Sequence, residues 1–138
     1  MLNKYILHRH GIINSVIRDG YGGLYRDDLY LQYKTYSDTQ VIKIGRAKAW
    51  IRIKNDLIIG DLDLADQDFN ATMDALKKIA IKLGVRQIFF HTSPHTHLHS
   101  LFAACYKRVP SFPVLFQDLG AGLPFDKIKF TFADIDIF

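Results

Sequence analysis

Four histidines crowd the stretch IFFHTSPHTHLHSLF: His91, His95, His97 and His99. Three imidazoles suffice for a zinc centre, and one suffices for a general base working near neutral pH. The spacing argues against a shared ion. His95 and His99 are four apart and share one face of a helix, whereas His97 points roughly 160° away from His99 on the helical wheel. No cysteine or glutamate stands beside them to complete a ligand shell, so no metal is expected. Two readings remain for His95 and His99: a proton shuttle facing a pocket, or polar residues in the first turns of an ordinary helix. The chain contains no glutamate, so carboxylate chemistry falls to aspartate. In DLIIGDLDL, strict strand alternation sets Asp61 and Asp63 on one face with Leu57 and Ile59. Apolar neighbours there would raise a carboxyl pKa toward a working range. The plainer alternative lets both side chains reach solvent at a sheet edge.

The surrounding elements must position these groups. Val41, Ile42 and Ile44, then the stretches 47–54 and 57–64, are rich in strand formers, and RIKNDLI reads as a hairpin turning at Lys54, Asn55 and Asp56. Phe69, Met73, Leu76, Ile79, Ala80 and Leu83 fall on one helical stripe. Asp66 or Asp68 can cap that helix, and Gly84 ends it. VRQIFFH is a mostly apolar strand. Pro94, capped by Ser93, opens a second helix that runs to about Lys107. Pro110 and Pro113 bound a loop, residues 114–118 read as a strand, and 127–138 alternate as a long final strand. Before residue 40 the pattern is weaker: a strand over 4–8, helices over 12–17 and 27–33, and glycines at 20, 22 and 23 that mark turns. DGYGGLYRDD lacks the strand and helix that a phosphate-cradling loop requires. Trp50 reads as core, and Cys105 as a buried, inert thiol.

A chain of 138 residues that is 49% hydrophobic fits one domain spanning 1–138 with a sizeable core. No apolar run nears the roughly 20 residues that cross a bilayer, and the first residues lack a secretory apolar stretch. One cysteine excludes an internal disulfide framework and suits a reducing compartment, so a cytoplasmic location is expected. Residues 1–54 carry ten Lys/Arg against four Asp, a balance of +6, within a whole-chain charge of +4. That front-loaded charge reads first as a solvated basic face, and second as an attractor of an anion such as RNA.

A helix between two strands demands a parallel crossover, while the hairpins are antiparallel. The order therefore gives an α/β (α+β) fold, a mixed sheet flanked by helices. From about residue 41 onward this order resembles the GNAT superfamily of acyl-CoA-dependent N-acyltransferases. The resemblance is carried by DLIIGDLDL, FNATMDALKKIAIKLGVRQIFF and HSLFAACYKRVPSFPVLF, and covers roughly 70% of the chain. The last segment is similar to the family's Asn-x-x-Ala-x-x-x-Tyr-x-Lys pattern, with Tyr106 at the tyrosine, Lys107 near the lysine and His99 at the asparagine.

The resemblance implies a partly split central sheet, with a wedge between the strands ending near Leu64 and His91. It implies N-acyl transfer from acetyl-CoA or a related donor to a small-molecule or peptide amine. Asp61 and His99 would serve as bases and Tyr106 as the acid, and Leu62, Leu64 and Asn70 would contact the donor. The family's glycine-containing pyrophosphate loop is replaced here by DLADQDFNATM, whose aspartates repel phosphate at the helix end. The donor is then acetyl-CoA held in an altered mode, or aminoacyl-tRNA as in the similar Fem-like aminoacyltransferases, which pair two such halves. A non-catalytic pairing module, including a homodimer, is the alternative.

Overall fold

A computed structural model describes residues 12–34, 38–135 and 138. The strand expected over 4–8 lies outside the described residues. Among the described residues two short helices come first, α1 (Ser15–Arg18) and α2 (Asp28–Lys34), followed by strands β1 (Thr39–Ile44), β2 (Ala47–Ile53) and β3 (Leu57–Asp63). Helix α3 (Phe69–Lys82), strand β4 (Ile88–Phe90) and helix α4 (His97–Cys105) complete the regular elements. The sheet runs β1-β2-β3-β4; its first three strands are antiparallel and β3–β4 is parallel, making a mixed α/β arrangement.

Local chemistry sets these elements. β1 and β2 are joined by Gly45-Arg46, and Gly45 adopts φ 60°, the conformation a tight hairpin asks of glycine. α3 buries Phe69, Thr72, Met73, Leu76 and Ala80 against the sheet and stops at Gly84, φ 71°. The Val85 N–H then donates to the Ala80 carbonyl and the Gly84 N–H to that of Ile81, a Schellman closure. Neither expected aspartate caps α3. A 3-10 turn, Asp66–Asp68, precedes the helix, and Asp68 pairs with Arg46 at 3.2 Å instead.

One residue in β3 departs from the expected alternation. Trp50 pairs with Asp61 and Ile51 with Ile59, so Gly60 has no cross-strand partner and forms a bulge. The bulge shifts the phase. Leu57, Ile59, Leu62 and Leu64 all enter the core beneath α3 and α4, while Asp61 turns to the opposite face with Trp50. That second face holds Ile12, Val41, Phe132, Ala133 and Phe138. Gly60 is required there, because any Cβ would overlap the Phe138 ring.

Several expectations fail beyond α3. β4 spans only Ile88–Phe90, and α4 begins later than Pro94, with the Thr96 hydroxyl rather than Ser93 accepting from the His99 N–H. Among the described residues, 127–135 form no long strand. Thr131 and Asp134 make a reciprocal capping box around the 3-10 turn Phe132–Asp134, a local bond set that competes with extension. Among the described residues single bridges remain, Gly22 to Ile128 and Thr92 to Thr131. Residues 114–118 pair with no strand among the described residues. Prolines at 110 and 113 lack ladder donors, and Gly120 and Gly122 turn the chain at φ 96° and 64°. Cys105 is exposed on α4, not buried. No helix among the described residues is long and apolar enough to cross a membrane.

Replacing Gly60 with alanine should cost about 1–3 kcal/mol by forcing the Phe138 ring aside. Chemical denaturation checks this. The cost should shrink in a Phe138→Leu background and stay whole if the bulge is not packed on that ring.

Candidate functional site

The face of β3 exposed by the bulge carries an ionic cluster. Arg26 lies between Asp61 and Asp134, with guanidinium-to-carboxylate distances of 2.9 Å to each. Its side chain is 3% exposed and both aspartates are 0% exposed. Asp61 also accepts from the backbone N–H of Ser15 at 3.1 Å and of Leu62 at 2.8 Å. Arg26 donates further to the Thr131 hydroxyl and the Ile12 carbonyl, and packs over the Trp50 ring at 5.4 Å. Complete burial pushes the Asp61 carboxyl up, against the pull of Arg26 and the Ser15 and Leu62 donors. Burial opposes the charge on Arg26 as well, but the two carboxylates overcome it and hold the guanidinium protonated.

This cluster occupies the place where a wedge was expected. β3 and β4 pair only from Leu57↔Ile88 to Ile59↔Phe90, and β3 continues alone for four residues. Past that point its free edge meets α1 and the Phe132–Asp134 turn rather than an opening. β4 is paired with β3 to its end, and the edge of β3 beyond it is covered by α1 and the Phe132–Asp134 turn, so the expected wedge is not formed. Asp61, sealed against Arg26 and Ser15, has no access to a substrate. Asp63 faces the same way and pairs with Arg18 at 2.8 Å. Leu62 and Leu64 are buried core residues, and Asn70 is exposed on the first turn of α3. With Asp66 and Asp68 beside that turn, the α3 N-terminus does not suit a pyrophosphate.

His99 and Tyr106 lie elsewhere, together. Both line a cleft of about 910 Å³ bounded by β4, α4, the extended segment 107–116 and residues 125–132. Asp61 does not line it. The walls take eight of the ten phenylalanines, and the polar groups include Lys77, His91, Lys107, Arg108 and Lys129. Among the described residues no aspartate lines the cleft. α4 sets the polar positions. Its N-terminus is fixed by Asp19, which accepts from the His97 N–H at 2.9 Å, and by Asp66 at 2.5 Å from His97 Nε2. His95 precedes the helix at φ 68°, a conformation uncommon for a side-chain-bearing residue, and its carbonyl accepts from the Tyr21 hydroxyl. Tyr106 sits just past the helix end in extended conformation, with Lys77 over its ring at 5.2 Å.

The four histidines thus divide. His97 is tied to Asp66, away from the cleft. His91 bonds the Ser111 hydroxyl at 2.7 Å and stacks on Phe112, pinning residues 111–112 across β4. His95 and His99 lie with ring centroids 6.4 Å apart. Among the described residues no three His, Cys or Asp side chains gather as an ion would need. Desolvation lowers the His99 pKa below its ordinary 6.5, assisted by the positive charges of Arg108 and His95. Desolvation lowers that of His91 too. Sequence reasoning missed Lys77, Arg108 and His91 as cleft residues. The dipeptide Lys107-Arg108 following an apolar helix, beside the aromatic FPVLF, was the available signal.

No protein-family model, curated protein or solved structure matches this chain.

Ring titration by NMR should place the His99 midpoint below 6.5. Arg108→Gln should move that midpoint upward, since removing a cation eases protonation. No movement would mean that Arg108 does not face His99. In Arg26→Met, two buried carboxylates lose their cation, at a cost of about 3–5 kcal/mol near neutral pH. Without Arg26, burial holds the folded-state pKa of Asp61 above the unfolded one, so the folded state binds more protons. Denaturation should show the deficit shrinking as pH falls toward the carboxylate range, and a constant deficit would contradict the cluster.

Proposed function

We propose that the chain is an N-acyltransferase of GNAT-like type whose chemistry sits in the cleft beside β4. The observation that carries this reading is that His99 and Tyr106 open into one phenylalanine-walled cleft with no carboxylate among its described residues. A large apolar cleft with a few convergent polar groups is the usual form of a small-molecule site. His99, kept neutral near pH 7, can accept the proton that an amine sheds as its nitrogen attacks the acyl carbon. Tyr106 can donate its phenolic proton to the sulfur or oxygen that leaves as the acyl bond breaks. A cationic surround also favours the neutral, nucleophilic form of an amine over its ammonium. Asp61 has no part in this reading. The donor is an anionic acyl thioester or ester. The α3 terminus does not hold it, so acetyl-CoA in the family's usual mode is not proposed.

A second reading, a non-catalytic module that pairs with itself or another chain, draws on the covered edge of β3. It draws equally on the exposed apolar side chains along 109–123, Leu115 at 89% and Leu119 at 87% among them.

Turnover decides between them. The purified protein is offered acyl thioesters of two to sixteen carbons with a panel of amines, and thiol release is followed. The transferase reading expects release that depends on the amine and falls at least about 100-fold in His99→Gln and Tyr106→Phe. No release with any pair, or equal release by the folded variants, would overturn it and leave the pairing reading.

A further inference from the structure

The cleft offers more than the proposed reaction centre requires. Its volume of about 910 Å³ lies near the top of the roughly 300–1,000 Å³ range of small-ligand sites, and a two-carbon acyl group would leave most of it empty. Aromatic walls continue along its length. Phe90 and Phe102 approach at 4.8 Å between centroids and Phe116 and Phe125 at 4.9 Å, and Phe112 stacks on His91 at 5.2 Å. Such aromatic walls favour a hydrocarbon body.

Charge fixes the other end of the ligand. Lys107 and Arg108 leave α4 at the cleft mouth, exposed, and neither makes an ion pair among the described residues. Arg18, Arg26 and Arg46, by contrast, each meet an aspartate. Two uncompensated cations beside an apolar chamber free of aspartate complement a molecule with a long apolar body and an anionic head. The outer wall suits entry of a flexible chain. No backbone–backbone hydrogen bond involves residues 107–123 among the described residues, and the segment is held by side chains, chiefly His91 with Ser111 and Phe112. Such a wall opens locally at little cost.

We propose that the cleft binds a medium- to long-chain fatty acyl anion, its hydrocarbon along Phe90, Phe102 and Phe116 and its head group at Lys107 and Arg108. This rests on the cleft being the ligand site, and it holds whether or not acyl transfer follows. The shared chemistry is the acyl chain with a negative head, whether a free fatty acid or an acyl thioester.

Displacement of the fluorescent polyene cis-parinaric acid tests this. Dodecanoate and dodecanoyl-CoA should both displace it at micromolar concentration, the more effective of the two naming the source. Dodecylamine should fail, and acetyl-CoA should not compete. The double variant Lys107→Gln/Arg108→Gln should weaken dodecanoate about 10-fold or more without changing thermal stability, and Ala103→Trp, which fills the cleft from α4, should abolish uptake of the probe. Competition by dodecylamine equal to dodecanoate, or uptake unaltered in both folded variants, would overturn the proposal as surface adsorption. Binding of dodecanoate without turnover would leave this proposal standing and remove the transferase reading. Turnover of acetyl donors without displacement by dodecanoate would do the reverse.

Discussion

One guanidinium holds together three parts of the chain that are distant in sequence. Arg26 joins the bulged strand β3 through Asp61 to the Phe132–Asp134 turn through Asp134, and to the first described residues through the Ile12 carbonyl. Taking these charges out of water costs several kcal/mol per ion, and their attraction in a low-dielectric setting repays that only when the remaining lone pairs are satisfied. Here Ser15, Leu62 and Thr131 supply the extra partners. By pairing with both carboxylates Arg26 ties the Phe132–Asp134 turn to β3.

The closure decides where function can reside. A parted pair of parallel strands is a natural place for a ligand in an open sheet, since the chain leaves unpaired backbone at the strand ends. In this molecule those ends are covered by α1 and the Phe132–Asp134 turn. The available concave surface lies on the far edge of the sheet, beside β4. There β4 has no ladder partner on its outer side among the described residues, and the segment 107–116 crosses it with side-chain contacts rather than backbone hydrogen bonds. The same tie that seals one cleft therefore leaves the other as the place where His99, Tyr106 and the Lys107-Arg108 pair meet.

The segments that were legible in the sequence share a feature: their hydrophobic period agrees with their packing. The α3 stripe from Phe69 to Ala80, the strand-turn-strand at Lys54–Asp56 and the parallel β3–α3–β4 crossover emerge as read, while Leu83 lies past the helix end and is exposed. Asp61 was misplaced by a single glycine. Strict alternation carried it to the face of Ile59, and the Gly60 bulge carried it to the other. An interior strand glycine is itself a bulge signal, and it was the one to weigh. The C-terminal stretch misled differently. Its alternation is genuine, but Thr131 and Asp134 bond each other locally, and Asp134 answers to a partner more than a hundred residues away. No local pattern carries such information. The cleft was half legible. Tyr106 and His99, the residues the resemblance implies, do share it, while its phenylalanine walls come from four separate segments that only the fold assembles.

Amide hydrogen exchange with and without dodecanoate tests the central claim most directly. If the tie at Arg26 seals the sheet and the cleft beside β4 is the ligand site, the Ser15 and Leu62 amides should exchange only through near-global unfolding. Residues 107–123 should exchange at once, and ligand should slow exchange at 88–92 and 99–109 alone. Rapid exchange at Ser15 and Leu62, or ligand protection centred there, would contradict the account.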